Sequence, residues 1–565
     1  MNLRAKPFYL DDQGVAWVEN TLAAMTQEEK IGQLFCTIYK EGSQQEIEET
    51  YAVLSPGGSM YRGMPLENAV NLTNSLRSRS GVPLLISANL EKGGSGIVHE
   101  GTLFASPLEI GATNDTAMAE KLAAVCAREG KAVGANWSFG PIIDIDENFR
   151  NPITNTRTFG SKLDIVAGMG VAYTKTIQSA GIAASIKHFP GDGRDERDQH
   201  LLTSVNDCTV YEWDRTFGKV YADCIEAGAL TCMAGHIMLP EYSKHINPDL
   251  RDQDIMPATL APELLGGLLR EKLGFNGLII TDATTMAGFT MPMPRHLAVP
   301  TSIAAGCDMF LFTRNLQEDY SFMKDGVRNG IITAQRLDEA VARILALKAA
   351  LGLHKPQDQL DLEAVKAIIG CREHRAWARE CADKAITLVK EQPGVLPLSA
   401  QKYKRVLFYP IESSGGVGPY VVKDGVCLSV AERLRKEGME VTVFEPSPLG
   451  TEGKTPATSE IADNYDLIVY VANLSTKSNQ TTVRIEWAQP MGANCPHYVN
   501  EVPTIFISVE NPYHLLDVPR VKTFINTYSS HNEVLDSLVE KLMGRSSFVG
   551  ISPVDVFCGK WDTRL

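Results

Sequence analysis

The chain has no closely spaced cysteine pair, no block of Lys or Arg, and no apolar run of membrane length. Each absence removes a class of function. Its 11 cysteines are scattered singly, and most lie inside apolar runs, as Cys36 does in IGQLFC. Such a set predicts buried thiols in a reducing compartment and argues against a disulfide framework or a zinc site. The formal net charge is −14. Without a basic cluster, that surface repels phosphate backbones and anionic lipid, so neither nucleic acid nor membrane is an expected partner. The first residues, MNLRAKPFYLDDQG, lack the apolar centre of a secretory signal. These features together predict a cytoplasmic location. There is no internal repeat and no low-complexity tract.

What remains is an ordinary globular composition spread over 565 residues, enough for a large domain and a smaller one. The first two-thirds repeats one theme: a short apolar strand, a polar residue at its end, a loop, then an amphipathic helix. Thr26 and Glu29 form a capping box at the opening helix. Strands are expected at 34–38, 58–61, 84–87, 137–143, 183–186, 231–234, 278–281 and 309–312. Helices are expected between them, including 117–129, 163–179 and 262–273. Eight strand–helix units predict a parallel (β/α)₈ TIM barrel, with an open doubly wound sheet as the competing arrangement. The polar residues favour the barrel. Arg62, Asn89, Asp144, Lys187, His188, His236, Asp282 and Arg314 all follow apolar strands, and in a barrel those positions meet at one rim.

The barrel pattern is expected to fill 1–355, and a linker with a long helix over 362–391 to occupy 356–392. A doubly wound α/β/α sandwich is expected over 393–565. Its strands should lie at 406–409, 440–444, 467–471, 504–509 and 523–526, and its helices should include 430–437 and 532–543. The SSGGVGP turn at 413–419 does not fit a dinucleotide fingerprint and reads as a loop.

Two stretches carry chemistry. In SIKHFPGDGRDERDQH (185–200) an apolar strand delivers Lys187 and His188, both able to hydrogen-bond a polyhydroxylated ligand. A tight FPGDG turn then opens a polar loop ending Asp198-Gln199-His200. One carboxylate there can orient one imidazole and leave its other nitrogen to carry a proton, while a mobile loop completes the site. A solvated loop is the bland alternative. In GFNGLIITDATTMAGF (274–289) a buried strand ends in Asp282, either a helix N-cap or a nucleophile aimed into the barrel mouth. Asp144-Ile145-Asp146-Glu147-Asn148 fails as a calcium loop, with Phe149 at the sixth position and Asn155 at the twelfth. HExxH and GxSxG are absent, so no metal or cofactor is expected.

MTQEEKIGQLF, GGSMYRG, NPITNTRTFG, KHFPGDG…DQH and LIITDATTM occur in the order and spacing of family 3 glycoside hydrolases. Over essentially the whole chain the sequence resembles the two-domain members, and most closely the β-N-acetylglucosaminidase branch. The resemblance implies that Asp282 is the nucleophile, His200 the acid/base and Asp198 its orienting partner. It implies that Lys187, His188 and Arg157 bind the sugar, with Asn89, Glu91, Arg62 and His236 around the same pocket. Family β-glucosidases usually carry an aromatic after the nucleophile, whereas here Ala283 follows Asp282. The implied reaction is retaining, exo-acting hydrolysis of a small soluble glycoside by double displacement. Acid and nucleophile in such enzymes stand about 5–5.5 Å apart. An imidazole acid does not repel an anionic acceptor, so phosphorolysis is physically open. A β-glycosidase for another sugar and a non-catalytic sugar-binding protein are the other readings. The chain departs from the pattern at Asn89, within a segment often reading DQEGG, at Asp192 where His is common, and at Gln199 where Ser is usual.

Overall fold

The computed structural model describes residues 1–40, 42–412, 425–445, 457–474, 476, 478–479, 481, 483–487 and 492–565. The Gly-rich turn at 413–419 lies outside them. Contacts divide the chain into two compact units, and the division is not a single cut along the sequence. The first unit is Met1–Phe104, Ala119–Asn148 and Val166–His374. The second is Ala105–Met118, Phe149–Ile165 and Arg375–Leu565.

The first unit opens with a helix that hydrophobic patterning missed, Asp12–Ala24, capped by the Asp11 carboxylate on the Gly14 N–H. The helix behind Thr26 is therefore the second, Gln27–Gln33, and it has its capping box. Eight short strands then come in the expected order. They are β1 (Phe35–Tyr39), β2 (Gly58–Tyr61), β3 (Leu85–Ala88), β4 (Trp137–Ser138), β5 (Ala183–Phe189), β6 (Thr231–Ala234), β7 (Leu278–Thr281) and β8 (Phe310–Leu311). They pair in the order β8-β1-β2-β3-β4-β5-β6-β7. A parallel bridge between Ile280 and Met309 joins the two ends. The sheet is a nearly closed parallel barrel, and the open doubly wound alternative for this half is excluded.

Closure explains why these strands read as continuous apolar runs. Side chains fill the barrel inside and helices cover it outside, so β2, β3, β5, β6 and β7 are buried along their whole length. The expected helix at 262–273 forms at Glu263–Lys272 but winds as a π-helix, with Leu264, Leu265, Leu268 and Leu269 on its buried face.

The second unit holds a six-stranded sheet built from β9 (Thr387–Lys390), β10 (Arg405–Glu412), β11 (Glu440–Val443), β12 (Leu467–Asn473), β13 (Thr504–Ser508) and β14 (Thr523–Asn526). Their order is β9-β14-β13-β12-β10-β11, parallel except for β9, which runs antiparallel to β14. The expected long helix at 362–391 is corrected here. It is two helices, Leu362–Lys366 and Arg372–Ala385, followed by β9. Gly370, at φ +61°, stands between the helices. The apolar run from Ile386 to Val389 then satisfies its backbone on the open edge of β14. Alternation along the strands separates two cores. Val406, Phe408, Val469, Ile505 and Ile525 pack with Val430, Leu434, Leu535 and Leu538. On the other face Tyr409, Tyr470, Phe506 and Phe524 form an aromatic row, stacked at 4.4, 5.9 and 5.3 Å between successive ring centroids.

Candidate active site

The site is assembled from the carboxyl ends of the barrel strands. In β5, the pairing with β6 shifts register between Ile186 and Phe189. Such an irregularity re-aims side chains that would otherwise alternate across the sheet, and Lys187 and His188 both find partners at the rim. The Lys187 ammonium stands 2.7 Å from the Glu91 carboxylate, just past β3. His188 donates its backbone N–H to Asp144 Oδ1 at 3.0 Å and its Nδ1–H to Asp144 Oδ2 at 2.7 Å. The Asp192 N–H joins the same carboxylate at 2.9 Å. Held this way, His188 presents Nε2 at 4.0 Å from Asp282 Oδ2.

Asp282 follows β7 directly. Its backbone N–H donates to the Ala234 carbonyl at 2.8 Å, and its Oδ1 accepts from the Ala283 N–H at 2.7 Å. Burial by itself raises a carboxyl pKa. Here the imidazoles of His188, His236 and His200, with the Ala283 N–H, outweigh it and hold the group below its ordinary value. Asp282 is therefore ionised at neutral pH, as a nucleophile or base requires.

The dyad forms as the sequence spacing suggests. His200 donates Nδ1–H to Asp198 Oδ1 at 2.7 Å, and its backbone N–H reaches the same oxygen at 2.8 Å. Asp198 has no exposed side-chain surface, whereas His200 keeps 19 % and Asp282 13 %. The two groups assigned to chemistry are thus reachable, and the carboxylates behind the histidines are not. His200 also lies within electrostatic reach of Asp282. The loop expected to be mobile is docked: the His200 carbonyl accepts from the Ala287 N–H at 3.0 Å, and Ser204–Val205 pairs with Ile237–Met238. The docking site lies just beyond Asp282.

His236, expected around the sugar pocket, has both ring nitrogens engaged by the protein. It is fully buried, its Nε2–H donates to the Ala283 carbonyl at 3.1 Å, and its Nδ1 accepts from the Thr259 hydroxyl at 3.0 Å. Burial, only partly offset by Asp282 and the Ala283 carbonyl, pushes its pKa down to about 4. It is a neutral strut beneath Asp282. Asn89 is half-buried past β3, and Arg62 half-buried past β2 with its guanidinium 5.6 Å from the Phe312 ring centroid. Arg157 ends the 3₁₀ turn Asn155–Arg157 and belongs to the second unit. Among the described residues no group of three or more His, Cys, Asp or Glu is arranged to hold a metal ion.

Residues 26–347 match the glycosyl hydrolase family 3 N terminal domain. The chain belongs to glycosyl hydrolase family 3. It is 52% identical, over 100% of both chains, to a protein from Cellulomonas fimi named beta-N-acetylglucosaminidase/beta-glucosidase. A solved structure named beta-glucoside phosphorylase BglX matches with a TM-score of 0.93 at 44% identity, covering 100% of this chain and 99% of that one. A family 3 β-N-acetylglucosaminidase from Paenibacillus sp. str. FPU-7 shares the fold, with a TM-score of 0.79 at 24% identity over 94% of this chain and 99% of the other.

In this family 3 enzyme more residues are bonded around the strand ends than sequence patterning singled out. Asp144 read only as one polar strand-end residue among several, yet it orients His188. Gln199 read as a departure from the family pattern, and it proves to be buried and bonded. Thr259, which holds His236, gave no sequence signal, because its partner is 23 residues away and the contact exists only in the folded barrel.

Proposed function

We propose that this family 3 glycoside hydrolase cleaves β-N-acetylglucosaminides by double displacement, with Asp282 as nucleophile and His200, oriented by Asp198, as acid and then base. The observation that carries the reading is an ionised, partly open carboxylate beside an imidazole whose Nδ1–H is engaged by a buried carboxylate. That leaves Nε2 for the transferable proton. Asp282 attacks the anomeric carbon as the bond to the leaving oxygen breaks, and His200 passes that oxygen a proton. A water then gives its proton to Nε2 while its oxygen displaces Asp282, so anomeric configuration is retained. Lys187, Glu91, Asn89 and Arg62 supply polar contacts around the sugar, and His188, fixed by Asp144, stands beside Asp282 Oδ2. The name of the Cellulomonas fimi relative supports N-acetylglucosamine, with glucose as the competing sugar.

Mass spectrometry of the enzyme treated with 2-fluoro glycosides tests the nucleophile. The label is expected on the peptide containing Asp282, and label elsewhere would discard the assignment. Asp282→Asn should abolish turnover of p-nitrophenyl β-N-acetylglucosaminide and of the glucoside. Full activity in that variant would discard it equally.

Phosphorolysis is the second reading. Two observations favour it: the acid/base is an imidazole, which unlike a second carboxylate does not repel an incoming anion, and the 44%-identical structure is named a phosphorylase. Turnover with and without inorganic phosphate, with the product identified as sugar or sugar phosphate, separates the two acceptors.

A further inference from the structure

Gln199 lies between the two members of the dyad and has no exposed surface. Its Oε1 accepts the His236 backbone N–H at 2.8 Å, and its Nε2 donates to Asp192 Oδ2 at 3.4 Å. Its carbonyl accepts the Gly288 N–H at 3.2 Å. These three partners stand beyond the ends of β5, β6 and β7. The bonds within the dyad orient His200 relative to Asp198. Gln199, between them, supplies three ties to the strand ends around Asp282. A side-chain amide suits the place because it accepts and donates at once. A carboxylate there would put two negative groups about where the 3.4 Å contact now lies.

We infer that Gln199 is a positioning residue, which pins the Asp198–His200 pair against the strand ends around Asp282 and so sets the path of the proton. The inference rests on His200 being the acid/base. It adds that the pair's placement is built by a buried amide bonded to Asp192 and to the His236 backbone.

The test compares kcat/KM, which reports only the steps up to the glycosyl-enzyme, for an alkyl and a dinitrophenyl β-glycoside. Removing Gln199 should impair proton donation, which matters for the alkyl leaving group and hardly for the activated one. Gln199→Ala is expected to lower kcat/KM about tenfold or more for the alkyl glycoside and less than about threefold for the dinitrophenyl one. Gln199→Glu should do the same. The double variant Asp192→Asn/Gln199→Glu exchanges amide and carboxylate, keeps a hydrogen bond between them, and should recover most of the alkyl activity. Equal losses on both substrates, or a fall in Tm with no change in their ratio, would overturn the inference. So would a double variant no better than Gln199→Glu. His200→Ala is run beside them: if it slows both substrates equally, the acid/base assignment itself fails and takes the inference with it. If it discriminates and Gln199→Ala does not, the assignment stands and only the inference falls.

Discussion

The Asp144 carboxylate accepts three hydrogen bonds in a place with almost no solvent, two from His188 and one from the Asp192 backbone. Buried groups left without partners cost about 1–3 kcal/mol each. Asp144→Ala is expected to lower stability by about 3 kcal/mol or more in urea denaturation, and to lower kcat as His188 loses its orientation. Asp144→Asn keeps one acceptor oxygen and should lose less on both counts. The sequence made the residues at this scale unequally visible. Asp282 and the Asp198–His200 pair stand out because each follows a strand or turn signal. Asp144 shares its strand-end position with Arg62, Asn89 and Arg314, and the sequence does not rank them. His236 was expected at the pocket, but its two ring partners come from distant points in the chain, and they turn it into a support.

At the level of elements, the Asp198–His200 loop and the segment after β7 fit each other closely. A Cβ on Gly288 would meet the Gln199 carbonyl oxygen at 2.5 Å, the His236 Cβ at 2.9 Å and the Leu202 carbonyl oxygen at 2.9 Å. Two of these are backbone atoms, which cannot rotate aside. Gly288→Ala should push the loop off its seat and break the Gly288 N–H bond to the Gln199 carbonyl. The expected result is a stability loss of about 1–3 kcal/mol and a kcat/KM loss concentrated on poor leaving groups. Unchanged kinetics would show that the loop does not need this seat. The FPGDG turn behaves alike: Gly193 has φ +117°, and a Cβ there would lie 1.8 Å from the Ile145 carbonyl oxygen. The sequence marked that turn clearly, but it gave no sign of the pairing to Ile237–Met238, which leaves no local trace.

For the whole molecule, the two units should respond oppositely to pH. Lys348 of the first unit is fully buried, its ammonium 2.6 Å from Gln33 Oε1, and burial pushes its pKa from 10.5 down to about 7. Folding therefore sheds a proton above pH 7, and the first unit gains stability as pH rises from there. His531 of the second unit is buried too, which alone would lower its pKa. Hydrogen bonding and attraction to Glu109 and Glu533 win and raise it from 6.5 to about 9. That contribution is complete below about pH 6.5 and is lost as pH rises through about 9. Between pH 7 and 8, calorimetry should show the first unit's transition moving up and the second unit's moving down. Lys348→Met should remove the upward slope of the first. Parallel movement of both in the wild type would contradict these assignments.

Local patterning determined much about this protein by itself: eight barrel strands in order, five of the six strands of the second sheet, and the strand ends bearing Lys187, His188 and Asp282. Those features depend on burial repeating along the chain and on turn residues with fixed backbone preferences, which neighbouring residues encode. Tertiary structure decided the rest. β9 became a strand because β14 offered an open edge. His236 became neutral because the fold buried it, and the Asp198–His200 pair acquired its place through bonds to residues beyond three other strands. Hydrogen-bond partners and desolvation depend on which distant groups arrive together, and no periodicity along the chain records that.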